Sequence, residues 1–127
     1  MEKVIYMDNA ATTKVNPQAL EAMLPFLKDD FGNPSTIYSV GKKARKAVEE
    51  ARKTVANLLG ADSKEIFFTS CGTESDNWAI KGAAYEGLKK GKNHIITSKI
   101  EHHAVLHTAE RLQKDGFEIT YLDVDKN

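Results

Sequence analysis

The 127-residue chain has a single cysteine, Cys71, a single tryptophan, Trp78, and three prolines. One cysteine cannot close an internal disulfide, so a disulfide-stapled fold is excluded and a reducing compartment is expected. Neither sign of charge is in surplus: Lys and Arg number 18, as do Asp and Glu. Phosphate-backbone binding draws on a positive surplus, so nucleic acid is not an expected partner. The cluster Lys42, Lys43, Arg45 and Lys46 reads as the solvated face of a helix. No apolar run approaches the roughly 18 residues of a membrane span. The opening stretch MEKVIYMDNAATT is too polar for a signal peptide. Repeats and low-complexity tracts are also missing. These absences predict a soluble, cytoplasmic protein with no membrane partner. What is present suffices for a core. At 41% hydrophobic and 28% charged, the composition is that of a globular domain or part of a larger one.

Helical spacing appears first at Ala19, Leu20, Met23, Leu24 and Leu27, with Asn16 as N-cap and Pro17 at the first helical position. Pro25 should disturb this helix. FGNPST, residues 31–36, is loop chemistry. A long apolar stripe then runs through Val40, Ala44, Ala47, Val48, Ala51, Val55, Leu58 and Leu59 and stops at Gly60, a good left-handed terminator. The remainder alternates. Residues 65–69 (EIFFT) predict a strand, 72–88 a helix, 94–98 (HIITS) a strand, 101–114 a helix and 118–124 (EITYLDV) a strand. That order is the signature of crossovers in a mostly parallel sheet with helices on both faces. It reads as the front part of a larger α/β fold.

Two strand-to-helix junctions carry the chemistry. At the first, Thr69-Ser70-Cys71-Gly72-Thr73-Glu74, a glycine turn leaves helix-start amides available, and these favour an anion such as phosphate. Gly72 admits close approach and Thr73 adds a hydroxyl. Ordinary N-capping by Ser70 or Thr73 is the competing reading. The loop lacks the Gly-Lys-Ser/Thr of a nucleotide-binding P-loop. At the second junction His102 and His103 stand where a strand gives way to a helix. A neutral imidazole there stacks on a planar ring or moves a proton. Adjacent histidines diverge too far to share a metal, and no complete HExxH motif is present.

Four motifs occur together: YMDNAATT (6–13), GNPST (32–36), FTSCGTESDNWAIKG (68–82) and HIITSKIEHHAVL (94–106). In this order and spacing the chain resembles the N-terminal part of the NifS/IscS-type cysteine desulfurases, fold-type I enzymes of class V that use pyridoxal 5′-phosphate (PLP). The resemblance implies that L-cysteine is converted to L-alanine, that the sulfur passes to a cysteine on a mobile loop as a persulfide, and that it then supplies iron–sulfur cluster assembly. It further implies a homodimer and a NifU- or IscU-like scaffold as sulfur acceptor. Residue by residue, Gly72 and Thr73 match the PLP-phosphate positions. His102 matches the ring-stacking histidine, a candidate acid/base. Asn9 and Ala11 match the loop lining the substrate side, and Asn33 a Gly-Asn-Pro loop expected near the active site or the dimer interface. His103 receives no role, and Cys71 is read as structural rather than as the sulfur acceptor.

Residues 1–15 are expected to go with a small domain and residues 16–127 to open the large PLP domain. No lysine here has the His-Lys context of the Schiff-base lysine. That lysine, the substrate-carboxylate arginine and the acceptor loop are expected beyond Asn127, so this stretch alone is expected to be inactive. The rivals are a class V aminotransferase, a selenocysteine lyase, or a non-catalytic phosphate-binding fragment.

Overall fold

Asn16 opens the first helix by the expected device. In the computed structural model, which describes residues 4–125, its side-chain oxygen accepts the Gln18 amide at 2.8 Å, and Pro17 is the first residue of α1 (Pro17–Lys28). Pro25 does not break the helix. Proline forfeits only its own bond to the preceding turn, α1 ends three residues later, and the Pro25 carbonyl accepts the closing amides of Asp29 and Asp30 at 2.8 and 2.9 Å.

The described residues fall into two compact units, divided between Phe67 and Phe68. In the first, α2 (Ser39–Leu59) buries Gly41, Ala44 and Ala56. Its stripe is only partly sunk, since Val40, Leu58 and Leu59 stay exposed. Gly60 ends it at φ 66°, and the Ala61 amide reaches back to the Ala56 carbonyl at 3.0 Å. This is a left-handed helix termination. The loop at 32–36 presses against the start of α2. A Cβ on Gly32 would lie 2.1 Å from the Val40 carbonyl oxygen, and one on Gly41 2.3 Å from the Asn33 carbonyl oxygen. Only glycine permits this approach.

The strand expected at 65–69 is not formed. A short 3₁₀ turn, Ser63–Glu65, takes its beginning, closed by the Asp62 amide on the Glu65 carboxylate at 2.8 Å. Ile66 is extended, but its backbone is committed locally: its amide donates to Ser63 and its carbonyl accepts from the Arg52 guanidinium. A ladder needs both groups.

The second unit contains α3 (Gly72–Leu88), β1 (His94–Ser98), α4 (His103–Lys114) and β2 (Glu118–Leu122). Strand β1 pairs with β2 in parallel, from His94 opposite Glu118 to Ser98 opposite Leu122. The β1–α4–β2 crossover predicted from the sequence is therefore present, with β2 two residues shorter than expected and α4 starting two residues later. Ile95 and Ile119 face each other in this register and pack on Ala84, Leu112 and Phe117, with Ile80 alongside. Leu112 is fully buried. Helices α3 and α4 thus share one core with one face of the sheet. Ile96, on the other face, is 61% exposed.

Tyr85 and Asp115 close the far ends of these helices. The Tyr85 hydroxyl donates to the Asp115 carboxylate at 3.0 Å, and Arg111 pairs with the same carboxylate at 2.9 Å. The Arg111 and Tyr85 donors hold Asp115 below the usual carboxylate range, and bonding to that carboxylate pushes the Tyr85 phenol up. Among the described residues, no helix is long and apolar enough to cross a membrane.

Candidate active site

Helix α3 starts without a side-chain cap. Its N-cap residue is Cys71, in extended conformation and with no capping hydrogen bond from its side chain, so neither Ser70 nor Thr73 plays the expected capping part. Glu74, in the first turn, reaches back instead. Its carboxylate accepts from the Ser70 amide at 2.6 Å and the Ser70 hydroxyl at 2.8 Å, and both bonds hold it below its ordinary range. The loop before the helix is braced by Thr69 and Ser75, whose hydroxyls lie 2.6 Å apart.

The donor set suits an anion. The first-turn amides have no side-chain oxygen on them, the Thr73 hydroxyl is exposed, and a Cβ on Gly72 would meet nothing within 4 Å. The positive end of a 17-residue helix lies behind these groups. The site's effect is visible on Cys71. This exposed thiol is lowered, first by the Glu74 backbone amide and then by the Ser70 hydroxyl and the Thr73 amide. The residues present therefore fit the phosphate of PLP.

His102 is the N-cap of α4. Its Nδ1 accepts the Ala104 amide at 3.1 Å. A ring nitrogen that accepts carries no proton, so the imidazole hydrogen sits on Nε2. Capping thereby fixes both the ring orientation and the tautomer. The expected helix start at Glu101 is displaced because Glu101 is engaged elsewhere, accepting from the Ser98 hydroxyl at 3.0 Å.

The two junctions are brought together by Asn77, a residue that sequence reasoning missed. Its amide nitrogen donates to the Thr73 carbonyl at 3.0 Å and to the Ala104 carbonyl at 3.4 Å. Lys81 donates to its oxygen at 2.8 Å. The only sequence signal for it is its place one turn after Thr73. Gly72, Thr73 and His102 all lie in the second unit, at the two helix starts that Asn77 links.

Asn9, Ala11 and Asn33 lie in the first unit and are exposed. Asn9 and Ala11 sit in a turn closed by the Ala11 amide on Asp8 at 3.2 Å. The Asn33 side-chain oxygen accepts the Ser35 amide at 2.9 Å, while Arg45 clamps the Pro34 and Thr36 carbonyls at 2.7 and 3.2 Å. The lysines nearest the motifs are occupied. Lys81 holds Asn77, and Lys99 pairs with Asp123 at 2.6 Å.

The second unit is an α/β arrangement with a parallel strand pair, an uncapped helix start at Gly72 and an imidazole-capped helix start at His103. The aminotransferase class-V family model matches residues 5–127, and the chain belongs to that family. It is 60% identical over 126 residues to a protein named cysteine desulfurase IscS from Clostridium botulinum, covering 99% of this chain and 32% of that one. A protein of the same name from Methanosarcina thermophila is 60% identical over 124 residues, covering 98% of this chain and 30% of that one. Among solved structures, a NifS-like protein superposes with a TM-score of 0.85 at 45% identity, covering 93% of this chain and 32% of the other. SspA in complex with cysteine gives a TM-score of 0.83 at 46% identity, covering 92% and 33%. The resemblance carried by the four motifs is borne out, as is the α/β fold with a parallel sheet. The chain spans about a third of the length of these relatives.

Proposed function

We propose that the chain forms the phosphate- and ring-binding part of a PLP-dependent cysteine desulfurase, an enzyme that converts L-cysteine to L-alanine and passes the sulfur to a protein cysteine as a persulfide. The observation that carries this reading is the uncapped α3 start at Gly72 and Thr73, joined through Asn77 to the helix that His102 caps. The similarity to proteins named cysteine desulfurase, and to one solved with cysteine bound, supports the substrate.

PLP, when bound, supplies the electron sink for breaking bonds at the substrate α-carbon and beyond. The residues of this chain hold it in place. The Gly72 and Thr73 amides and the Thr73 hydroxyl bind its phosphate. His102 presents its ring to the pyridine, with Nδ1 held by Ala104 and a proton available on Nε2 for transfer. Asn9, Ala11 and Asn33 are assigned to the substrate side, on the strength of their motifs. The same reading assigns a homodimer, a NifU- or IscU-like scaffold as acceptor, a part in iron–sulfur cluster assembly, residues 1–15 as associated with a small domain, and cytoplasmic residence.

The test is to incubate the protein at its native length with PLP and L-cysteine and to quantify alanine and sulfide released under reducing conditions. Equimolar alanine and sulfide, lost in His102→Ala, is the expected result. A keto acid product would instead make the protein an aminotransferase. PLP binding that Thr73→Ala leaves unchanged would remove the cradle assignment.

A further inference from the structure

We propose that His103 and His107 form a two-imidazole chelate for a divalent late-transition-metal ion, with water completing its coordination. The two residues are four apart on α4 and therefore share a face one turn apart. Their rings lie 5.3 Å apart between centroids and are inclined by only 31°. Both residues are exposed, and neither ring is engaged in a hydrogen bond or ion pair among the described residues. An ion can reach them and keep its waters. His102 is excluded as the second ligand of such a pair. Its ring is 6.3 Å from that of His103 and inclined by 60°, and its Nδ1 is committed to the Ala104 amide.

Imidazole ligands select Ni²⁺, Cu²⁺ and Zn²⁺ over Mg²⁺ and Ca²⁺. The His-x-x-x-His spacing is the one by which helical zinc sites supply two ligands. Here Ala104 occupies the place where that motif carries its glutamate, so the pair binds without the motif's hydrolytic base. No group of three or more His, Cys, Asp or Glu side chains among the described residues surrounds a metal position. The ion is therefore held by two protein ligands and exchanges with solvent. The positive end of α4 opposes a cation in its first turn, which also sets the affinity toward the weak end.

Titration calorimetry with Ni²⁺ on the purified protein, carried out with Cys71→Ser throughout to remove the one thiol, tests the assignment. His103→Gln and His107→Gln are each expected to weaken binding by about 10- to 100-fold, a loss of the size that even outer-shell changes produce at metal sites. The double variant should lose little more than either single one, because a chelate fails when one arm is gone. Circular dichroism checks the fold, and His103→Asn and His107→Asn replace any glutamine variant that does not fold. Affinity unchanged in either single variant, or losses that simply add, would overturn the proposal.

Discussion

The Asn77 amide of α3 donates to the Ala104 carbonyl of α4 at 3.4 Å while holding the Thr73 carbonyl of its own helix at 3.0 Å. One side chain thereby ties the turn bearing the anion cradle to the turn that His102 caps. Lys81 holds the Asn77 amide in place by donating to its oxygen at 2.8 Å. Under the proposed function, this tie lets a phosphate anchor and a ring contact act on one ligand.

Asn77→Ala should reduce stability by about 0.5–1.5 kcal/mol, since the inter-helix bond is lost while the Thr108 hydroxyl still donates to the Ala104 carbonyl. It should also weaken PLP binding, although Asn77 is assigned no contact with the cofactor. Thermal unfolding and PLP titration check the two effects. A variant as stable as the parent would show that the inter-helix bond contributes nothing.

His102 has two separable duties. His102→Asn replaces the Nδ1 acceptor with a side-chain oxygen in the capping position, so stability should hold. His102→Ala removes the cap and should cost about 0.5–2 kcal/mol. Both variants should lose the visible absorbance of bound PLP in its native form. Denaturant midpoints read with cofactor spectra distinguish the two roles.

Cys71 should alkylate with iodoacetamide faster at neutral pH than an unperturbed thiol. The Glu74 amide and the Ser70 hydroxyl favour its thiolate, so the inflection of rate against pH should fall below the ordinary cysteine value of about 8.5. Inorganic phosphate or PLP should slow the reaction by competing for the same amides. An inflection at or above that value would contradict the electrostatics of the helix start.

Asp115 contributes to stability in a defined pH window. Its folded-state pKa is depressed, chiefly by Arg111 and then by Tyr85. Its contribution is therefore complete above the unfolded carboxylate value of about 3.9 and is lost as pH falls through the lower folded value. The Tm gap between the protein and Asp115→Asn should stay level from neutral pH down to about pH 5 and close below about pH 4. Melting curves across that range provide the check.

Gly32→Ala and Gly60→Ala should differ in severity. At Gly32 the new methyl meets the Val40 backbone at 2.1 Å, and backbone must move. A loss of about 1–3 kcal/mol or more is expected. At Gly60 nothing lies within 4 Å and only the positive φ of 66° is strained, for about 1 kcal/mol. Urea midpoints rank the two.

Much of the architecture could be read from local chemistry. Asn16-Pro17 marked the start of α1, Gly60 the end of α2, and Gly72–Leu88 and His94–Ser98 were located to the residue. Each is governed by caps, glycine conformations and periodic apolar spacing, which act within a turn or a strand. The candidate residues Gly72, Thr73 and His102 were legible for the same reason: helix-start chemistry is written in consecutive positions.

Folding determined the remainder, because it depends on groups distant in sequence. Residues 65–69 carry strand-forming side chains, yet Arg52, fourteen residues before Ile66, takes its carbonyl, and a 3₁₀ turn consumes Glu65. Ser98 draws Glu101 out of the expected helix, and α4 begins at His103. Asn77 looks like any polar residue on an exposed helix until Ala104, 27 residues later, arrives beside it. Composition, capping and periodicity settle which elements form and which residues stand at their ends. Hydrogen bonds across long sequence separations settle which carbonyls remain for a ladder and which helix ends meet, and no local pattern encodes them.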